Sequence, residues 1–304
     1  MTESESRNFR TYYYDKFGFR GVEERKSIEI LLKENPLDVE KLRQFCLRFP
    51  IPFMYRFHLW KVILGITPRN KESQDFVLKQ REEQYKNLHH ALFVMRRVDR
   101  DTPQCELFLN IFLLDQGSLP YDHYEEAGFP DNRAFLHMAR AIISVVDSEV
   151  DSYWITSKVF QLFARCRESL QQLVDKSISC LKKEDTDQKL WKHLEVFGIF
   201  DCLPLVEWFQ CCFSCVLPDS SFQRIWDKVI GGSCMVLVYV VVSIFLTFQY
   251  KILKMNSTDK MLAYLQNIPE DMGDIIVSKA IDLWQKNGGR LQVKSDSMLD
   301  RSPP

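Results

Sequence analysis

A run of twenty uncharged residues, Gly231 to Tyr250, limits what this chain can become more than any other segment. It contains Met235-Val-Leu-Val-Tyr-Val-Val-Val-Ser-Ile-Phe-Leu-Thr-Phe248, and such a stretch either spans a bilayer or fills the centre of a large core. A span needs ~20 predominantly apolar residues and a basic bias on one flank. Here the apolar core runs only from Met235 to Phe248, two glycines open the run, and asymmetric basic flanks are lacking. The segment is therefore read as a buried helix, with no transmembrane segment expected. A membrane anchor at the same place is the competing reading, and it would require detergent for extraction.

The rest of the chain can surround such a helix. With 304 residues, 46% hydrophobic and 27% charged, the composition is that of a globular protein able to bury roughly three quarters of its unfolded surface. Forty basic residues face 41 acidic ones for a net charge of −1, so no broad footprint for nucleic acid or anionic lipid is expected and the partners should be proteins. Nine scattered cysteines form no disulfide framework and point to a reducing compartment. The first residues lack the apolar core of a secretory signal and the Met-Gly of a myristoylation site, and the end is no prenylation box, so a cytoplasmic location is expected.

Apolar residues recur at three and four, punctuated by prolines, which makes the fold all-α. Asp38 is placed as the cap of a helix reaching Arg48, with Leu42, Phe45 and Cys46 inward. A second helix spans Pro52 to Leu64. The longest helical pattern, Lys71 to Asp99, carries a stripe of Leu78, Tyr85, Leu88, Leu92 and Met95. Thr102 is placed as a cap with Pro103 at the first helical position. Ile268 to Trp284 forms a final amphipathic helix stopped by Gly288-Gly289. Residues 1–8 and 288–304 read as disordered tails and 9–37 as a helical lead-in. The main domain covers 38–287, in lobes of roughly 38–130 and 131–287 divided by the Gly- and Pro-bearing loop Asp115 to Asn132.

Motifs for independent chemistry are scarce. Cys212 and Cys215 invite a zinc or redox reading, but no second pair stands at ligand spacing, and small cysteines on an amphipathic helix suit a core. Adjacent His89 and His90 point about 100° apart on a helix and cannot act together. Gly231-Gly-Ser-Cys234 has no following lysine and is no phosphate loop. No hydrolase, zinc-protease or kinase signature occurs. No metal and no cofactor is expected.

Three segments carry a family resemblance. Leu47-Arg-Phe-Pro-Ile-Pro-Phe-Met-Tyr-Arg56-Phe-His-Leu-Trp60 places Arg56 and Trp60 on one helical face. Ser148-Glu-Val-Asp-Ser-Tyr-Trp154 reads as a capped, acidic-aromatic helix start. Trp208-Phe209, Leu217-Pro218 and Arg224-Ile-Trp-Asp227 close the set, in two amphipathic helices joined through the Leu-Pro turn. Together, over roughly residues 38 to 270, they resemble the TBC domain, a two-lobed helical module of many GTPase-activating proteins for Rab-type GTPases. The resemblance implies structural roles for Arg56, Trp60, Asp101, Trp154, Trp208, Pro218, Trp226 and Asp227.

It also implies a missing catalytic apparatus. The family uses an arginine finger in Ile-x-x-Asp-x-x-Arg and a glutamine finger in Tyr-x-Gln. The first aligns with Val98-Asp-Arg-Asp101-Thr-Pro-Gln104, which puts Gln104 at the arginine position. The second is replaced by the stretch Asp131 to Phe135. An arginine finger is worth about 10³ to 10⁵ in rate, and a neutral amide does not supply it. Arg96, Arg97, Arg100 or Arg133 would have to serve in an active enzyme with displaced catalytic groups, which is the alternative reading.

Within the family, the resemblance implies a non-catalytic scaffold that binds the C-terminal coiled coil of hamartin. Tuberin, reached through the same complex, would carry the GTPase-activating domain for Rheb, and the assembly would restrain the rapamycin-target growth kinase at lysosomes or cytoplasmic vesicles. A coiled-coil partner needs an apolar groove between helices. Leu107, Phe108, Ile111 and Phe112, with the Leu78, Tyr85 and Leu88 part of the long stripe, are candidates for lining it. The same Cys105 to Leu114 segment reads equally as core of the N-terminal lobe.

Overall fold

The computed structural model describes residues 22–120, 130–164 and 170–288. The expected tail at 1–8, all but Gly288 of the one at 288–304, the lead-in up to residue 21 and residues 121–129 of the long loop lie outside them. Among the described residues every regular element is helical, as the spacing of apolar residues requires.

Three helices open the chain: α1 (Val22–Lys33), α2 (Val39–Arg48) and α3 (Phe53–Ile63). Asp38 caps α2 as expected, its Oδ1 accepting the Glu40 and Lys41 backbone N–H groups at 3.1 Å each, a device worth ~1 kcal/mol. At the other end Phe49 is extended (φ −118°, ψ 154°), because Pro50 disfavours a helical residue before it. Leu42, Phe45 and Cys46 face inward.

A 3₁₀ turn at Lys71–Ser73 leads into α4 (Gln74–Val94), followed by α5 (Gln104–Asp115), α6 (Pro130–Ile143) and α7 (Glu149–Ala164). The pattern that continues to Asp99 stops earlier, in a left-handed turn at Arg96. Thr102 is not the cap of α5. Pro103 occupies that position, and Thr102 Oγ1 turns back to accept the Asp99 N–H and donate to Asp99 Oδ1, both at 2.9 Å. Ser148 does cap α7, with its hydroxyl accepting the Asp151 N–H at 3.3 Å.

Helix α5 settles the two readings of its apolar surface. Cys105 and Leu107 through Leu113 are all buried, because α5 packs between α4 and α6. Phe108 meets Tyr85 and Tyr153 at ring distances of 6.3 and 5.7 Å, and Phe112 meets Phe135 and Phe160 at 5.0 and 5.4 Å. Leu107, Phe108, Ile111 and Phe112 therefore belong to the core and line no open groove. A helix apolar on all sides is one wrapped on all sides.

The C-terminal half contains α8 (Leu170–Glu184), α9 (Lys189–Val196), α10 (Ile199–Cys202), α11 (Leu205–Gln210), α12 (Phe222–Ile230), α13 (Val236–Ile252), α14 (Thr258–Gln266) and α15 (Glu270–Lys286). The uncharged run forms α13, which packs chiefly on α15 and α8 and buries Val236 through Phe245, Phe248 and Ile252. Among the described residues no helix is long and apolar enough to cross a membrane. The cysteine-bearing residues 211–215, read as helical, form turns instead, while the turn expected at Leu217-Pro218 is present. After α11 the chain turns through left-handed Cys212 (φ 53°) and Phe213 (φ 61°), then through Pro218, whose carbonyl accepts the Ser221 and Phe222 N–H groups at 3.0 and 3.1 Å. Gly273 of α15 lets this turn come close, since a Cβ there would lie 3.0 Å from Pro218 Cγ.

Candidate functional site

Of the family-motif residues, Arg56 and Trp60 meet Trp226 and Asp227 on α12. Nearly all of its residues are buried, because it packs against α2, α3, α13 and α15. Asp227, 2% exposed, accepts Arg56 Nε at 3.1 Å and Trp60 Nε1 at 2.9 Å. Arg56 donates further to Gln223 Oε1 and Ile51 O, both at 3.1 Å. Trp60 and Trp226 lie 6.1 Å apart, and Trp226 Nε1 donates to Cys212 O at 3.0 Å. Trp208 is buried beside Phe213 at 6.2 Å. Each polar atom named here has a partner, as a buried polar cluster requires.

Lys228 completes the joint and was not legible beforehand. Its ammonium donates to Cys46 O at 2.6 Å and Phe49 O at 2.9 Å, so it satisfies carbonyls at the C-terminal end of α2 that the helix itself leaves open. Burial pushes its pKa down to about 8, against the pull of neighbouring Asp227. Burial likewise pushes the Asp227 carboxyl up, while Arg56 and Lys228 hold it down. Such a joint binds helices together and offers no reacting atom to a ligand.

A second cluster positions α4. The Arg81 guanidinium lies 4.8 Å from the Trp154 ring and donates to Ile66 O and Gly65 O at 2.9 and 3.0 Å, while Trp154 Nε1 donates to Arg81 O at 3.3 Å. Tyr85 points inward and donates to Glu149 Oε1 at 2.6 Å; burial, then this hydrogen bond, pushes its phenol pKa far up. Tyr85 is thus fixed inside with Leu92, whereas Leu78 and Leu88 are half-buried at the helix edges.

The other side of α4 is open. Phe76 is 68% exposed, and Phe93, Val94 and Met95 at the far end are 49%, 66% and 50% exposed. That end closes in a Schellman turn: Arg97 N donates to Leu92 O at 2.9 Å and Arg96 N to Phe93 O at 3.0 Å, with Arg96 left-handed at φ 57°. Glycine usually occupies this place, because a Cβ is strained there. A cavity of about 740 Å³ lies here, lined by His90, Phe93, Val94, Arg96, Arg97, Val98 and Asp99. A smaller one of about 430 Å³ lies along the same helix at Gln80, Glu83, Gln84, Asn87 and Leu88.

Just beyond the tip, Asp101 is exposed, with its N–H held by Asp99 Oδ1 at 3.0 Å. Gln104 begins α5 and is half-exposed. Arg96 and Arg100 are exposed, whereas Arg97 Nη2 is engaged with Pro120 O. The stretch Asp131 to Phe135 forms the first turns of α6, with exposed Arg133 and fully buried Phe135.

Comparisons with known proteins agree with this architecture. Residues 134–253 match the family described as Rab-GTPase-TBC domain. The protein named TBC1 domain family member 7 of Homo sapiens is 48% identical over 293 residues, and its namesake in Danio rerio 44% over 290; each comparison covers 95% of this chain and 98% of the relative. The crystal structure of the Ypt/Rab-GAP domain of Gyp1p is similar in fold, with a TM-score of 0.58 at 16% identity, covering 88% of this chain and 98% of that one.

Proposed function

Since the chain belongs to the TBC-domain family, among relatives of TBC1 domain family member 7, we propose that it is a non-catalytic TBC scaffold that binds the C-terminal coiled coil of hamartin. Through that contact it stabilises the complex in which tuberin activates GTP hydrolysis by Rheb, and it reaches lysosomes or vesicles with the complex. The observation that carries this reading is the one-sided packing of α4. Tyr85 and Leu92 anchor it to the core, while Phe76, Phe93, Val94 and Met95 stay exposed and Leu78 and Leu88 half-exposed. Helical partners seek such a strip, since they present apolar anchors at i, i+3, i+4 and i+7.

The region where family enzymes keep their fingers supports the non-catalytic part. Gln104 carries no charge to balance that spreading over transferring phosphoryl oxygens. The Asp131 to Phe135 turn commits Phe135 to the aromatic cluster with Phe112 and Phe160 rather than presenting an amide. Exposed Arg96, Arg100 and Arg133 are what an active enzyme for a Rab-type GTPase would have to use. Titration calorimetry of the whole chain with hamartin's C-terminal coiled coil, beside single-turnover GTP hydrolysis on a Rab panel, tests both readings. Saturable binding with unstimulated hydrolysis is expected. Absence of binding at tens of micromolar, or strong stimulation abolished by Arg100→Ala or Arg133→Ala, would overturn the proposal.

A further inference from the structure

The proposed function leaves a second apolar surface unused, at the corner where α2 turns into α3. Pro50 and Pro52 keep the connection out of helix, and around it Phe49, Phe53 and Met54 are 42%, 50% and 60% exposed. Each exposed ring continues a row that leads into the core. Phe49 lies 5.2 Å from buried Phe45, and Phe53 lies 6.0 Å from Phe57, itself 5.5 Å from buried Trp60. Single apolar residues on a surface need no explanation, but a group at one corner marks a place that another surface covers. Polar atoms on the neighbouring helices point the same way. Helices α1 and α2 pack together, yet Glu24 Oε2 of α1 and Arg43 Nε and Gln44 Oε1 of α2 are shielded from solvent with no hydrogen-bond partner among the described residues. Such atoms are costly until a donor or acceptor reaches them.

The sequence just before α1 has the chemistry to fill both needs. Phe9-Arg-Thr-Tyr12-Tyr13-Tyr14-Asp-Lys-Phe17-Gly-Phe19-Arg20 sets six aromatic rings in twelve residues, whereas a solvated tail carries few. Its three basic residues outnumber the single Asp15, and with three tyrosine hydroxyls they supply donors. Helix α1, which this segment enters, begins beside the corner. Arg25 in its first turn donates to Glu29 Oε1 at 2.9 Å, and the same oxygen accepts the hydroxyl of Tyr55, the neighbour of Met54, at 2.6 Å. Twelve residues reach up to ~40 Å, and so short a tether gives an effective concentration of order mM.

We propose that residues 9–20 fold back as a strap over the α2–α3 corner, with their rings packed on Phe49, Phe53 and Met54. Aromatic side chains suit this task, because each buries a large area at the cost of few rotors. The tether favours this segment over a second copy of the chain, which must pay for its lost translational freedom. The strap ties α1 to α3 across Tyr55. It also keeps the corner from competing with the α4 strip for helical partners.

The test puts photo-reactive benzoylphenylalanine in place of Tyr13 or, separately, of Phe17 in the full chain, irradiates it in dilute solution and maps tryptic peptides by mass spectrometry. Trypsin cuts after Arg48 and Arg56, so the single peptide Phe49–Arg56 holds the whole patch. A cross-link to that peptide within the monomer is expected from at least one of the two positions. Met54→Asp, at a residue exposed enough for its replacement to spare the melting temperature, should cut the yield several-fold. Cross-links found mainly in dimers would give the corner to a second copy and overturn the strap. So would cross-links elsewhere in the chain with Phe49–Arg56 unmodified, or an unchanged yield in Met54→Asp. The cross-linked site in the chain with native Met54 decides even if Met54→Asp alters the melt.

Discussion

Asp227 is the residue on which three separated parts of the chain depend. Its carboxylate meets Arg56 and Trp60 of α3, and its neighbour Lys228 meets the last carbonyls of α2. Arg56→Ala leaves the carboxylate buried without its ion partner, which costs about 3–5 kcal/mol. Urea titration should show that loss, and Arg56→Lys should lose less, since it keeps the charge but not the guanidinium fork. Lys228 makes the second prediction, with a definite sign. Its pKa is about 8 in the fold against an ordinary 10.5, so the unfolded chain holds the extra proton between those values. Stability contributed by this group therefore rises as pH increases from 8 to 10.5 and is lost as pH falls back through 8. The stability difference between wild type and Lys228→Met should shift toward wild type across that window, by up to roughly 3 kcal/mol. A difference independent of pH would show that Lys228 does not titrate there. The shared face of Arg56 and Trp60 was legible in the sequence from their spacing. Their partner was not, because it lies 171 residues from Arg56, and a buried lysine contradicts the usual exposure of that side chain.

At the scale of elements, the sequence offers both α4 and α5 as walls of the partner groove, and only α4 keeps exposed apolar residues. The segment Cys105 to Leu114 is apolar on every side, and periodicity cannot separate a wrapped core helix from one awaiting a partner; the stacking of α4, α5 and α6 decides for core. Helix α4 looks more polar, yet it carries the exposed apolar tip. Consecutive Phe93, Val94 and Met95 blur a helical stripe, and the left-handed Arg96 that exposes them has no glycine to announce it. The caps were readable where one side chain suffices, as at Asp38 and Ser148. The expectation failed at Thr102, where a local bond to Asp99 competes with capping. Val94→Glu should weaken binding of the hamartin coiled coil at least tenfold while leaving the melting temperature within a few degrees, because surface changes away from core contacts are typically within ~0.5 kcal/mol. Phe108→Glu should instead abolish the cooperative melt. If Val94→Glu bound normally, the partner surface would have to lie off the tip of α4.

For the whole molecule, contacts distant in sequence decide how the halves cohere. The expected division near residue 130 falls where α5, α6 and α7 share the Phe112, Phe135 and Phe160 cluster, and α12 reaches back to α2 and α3. The buried residues form one connected core from Ile28 to Trp284. Ending the chain at residue 130 would strip Phe108 and Phe112 of partners on α6 and α7 and remove Asp227 and Lys228 from the α2–α3 joint. Losses of several kcal/mol at each place exceed the 5–15 kcal/mol by which a domain is normally stable once they are combined. A fragment of residues 22–130 is therefore expected to lack a cooperative unfolding transition by circular dichroism, and the full chain to unfold in a single calorimetric transition. Arg56→Ala should move that transition to lower temperature without splitting it. Two resolved transitions, with only the earlier one moved by Arg56→Ala, would instead mean that the α2–α3–α12 joint melts apart from the rest of the core.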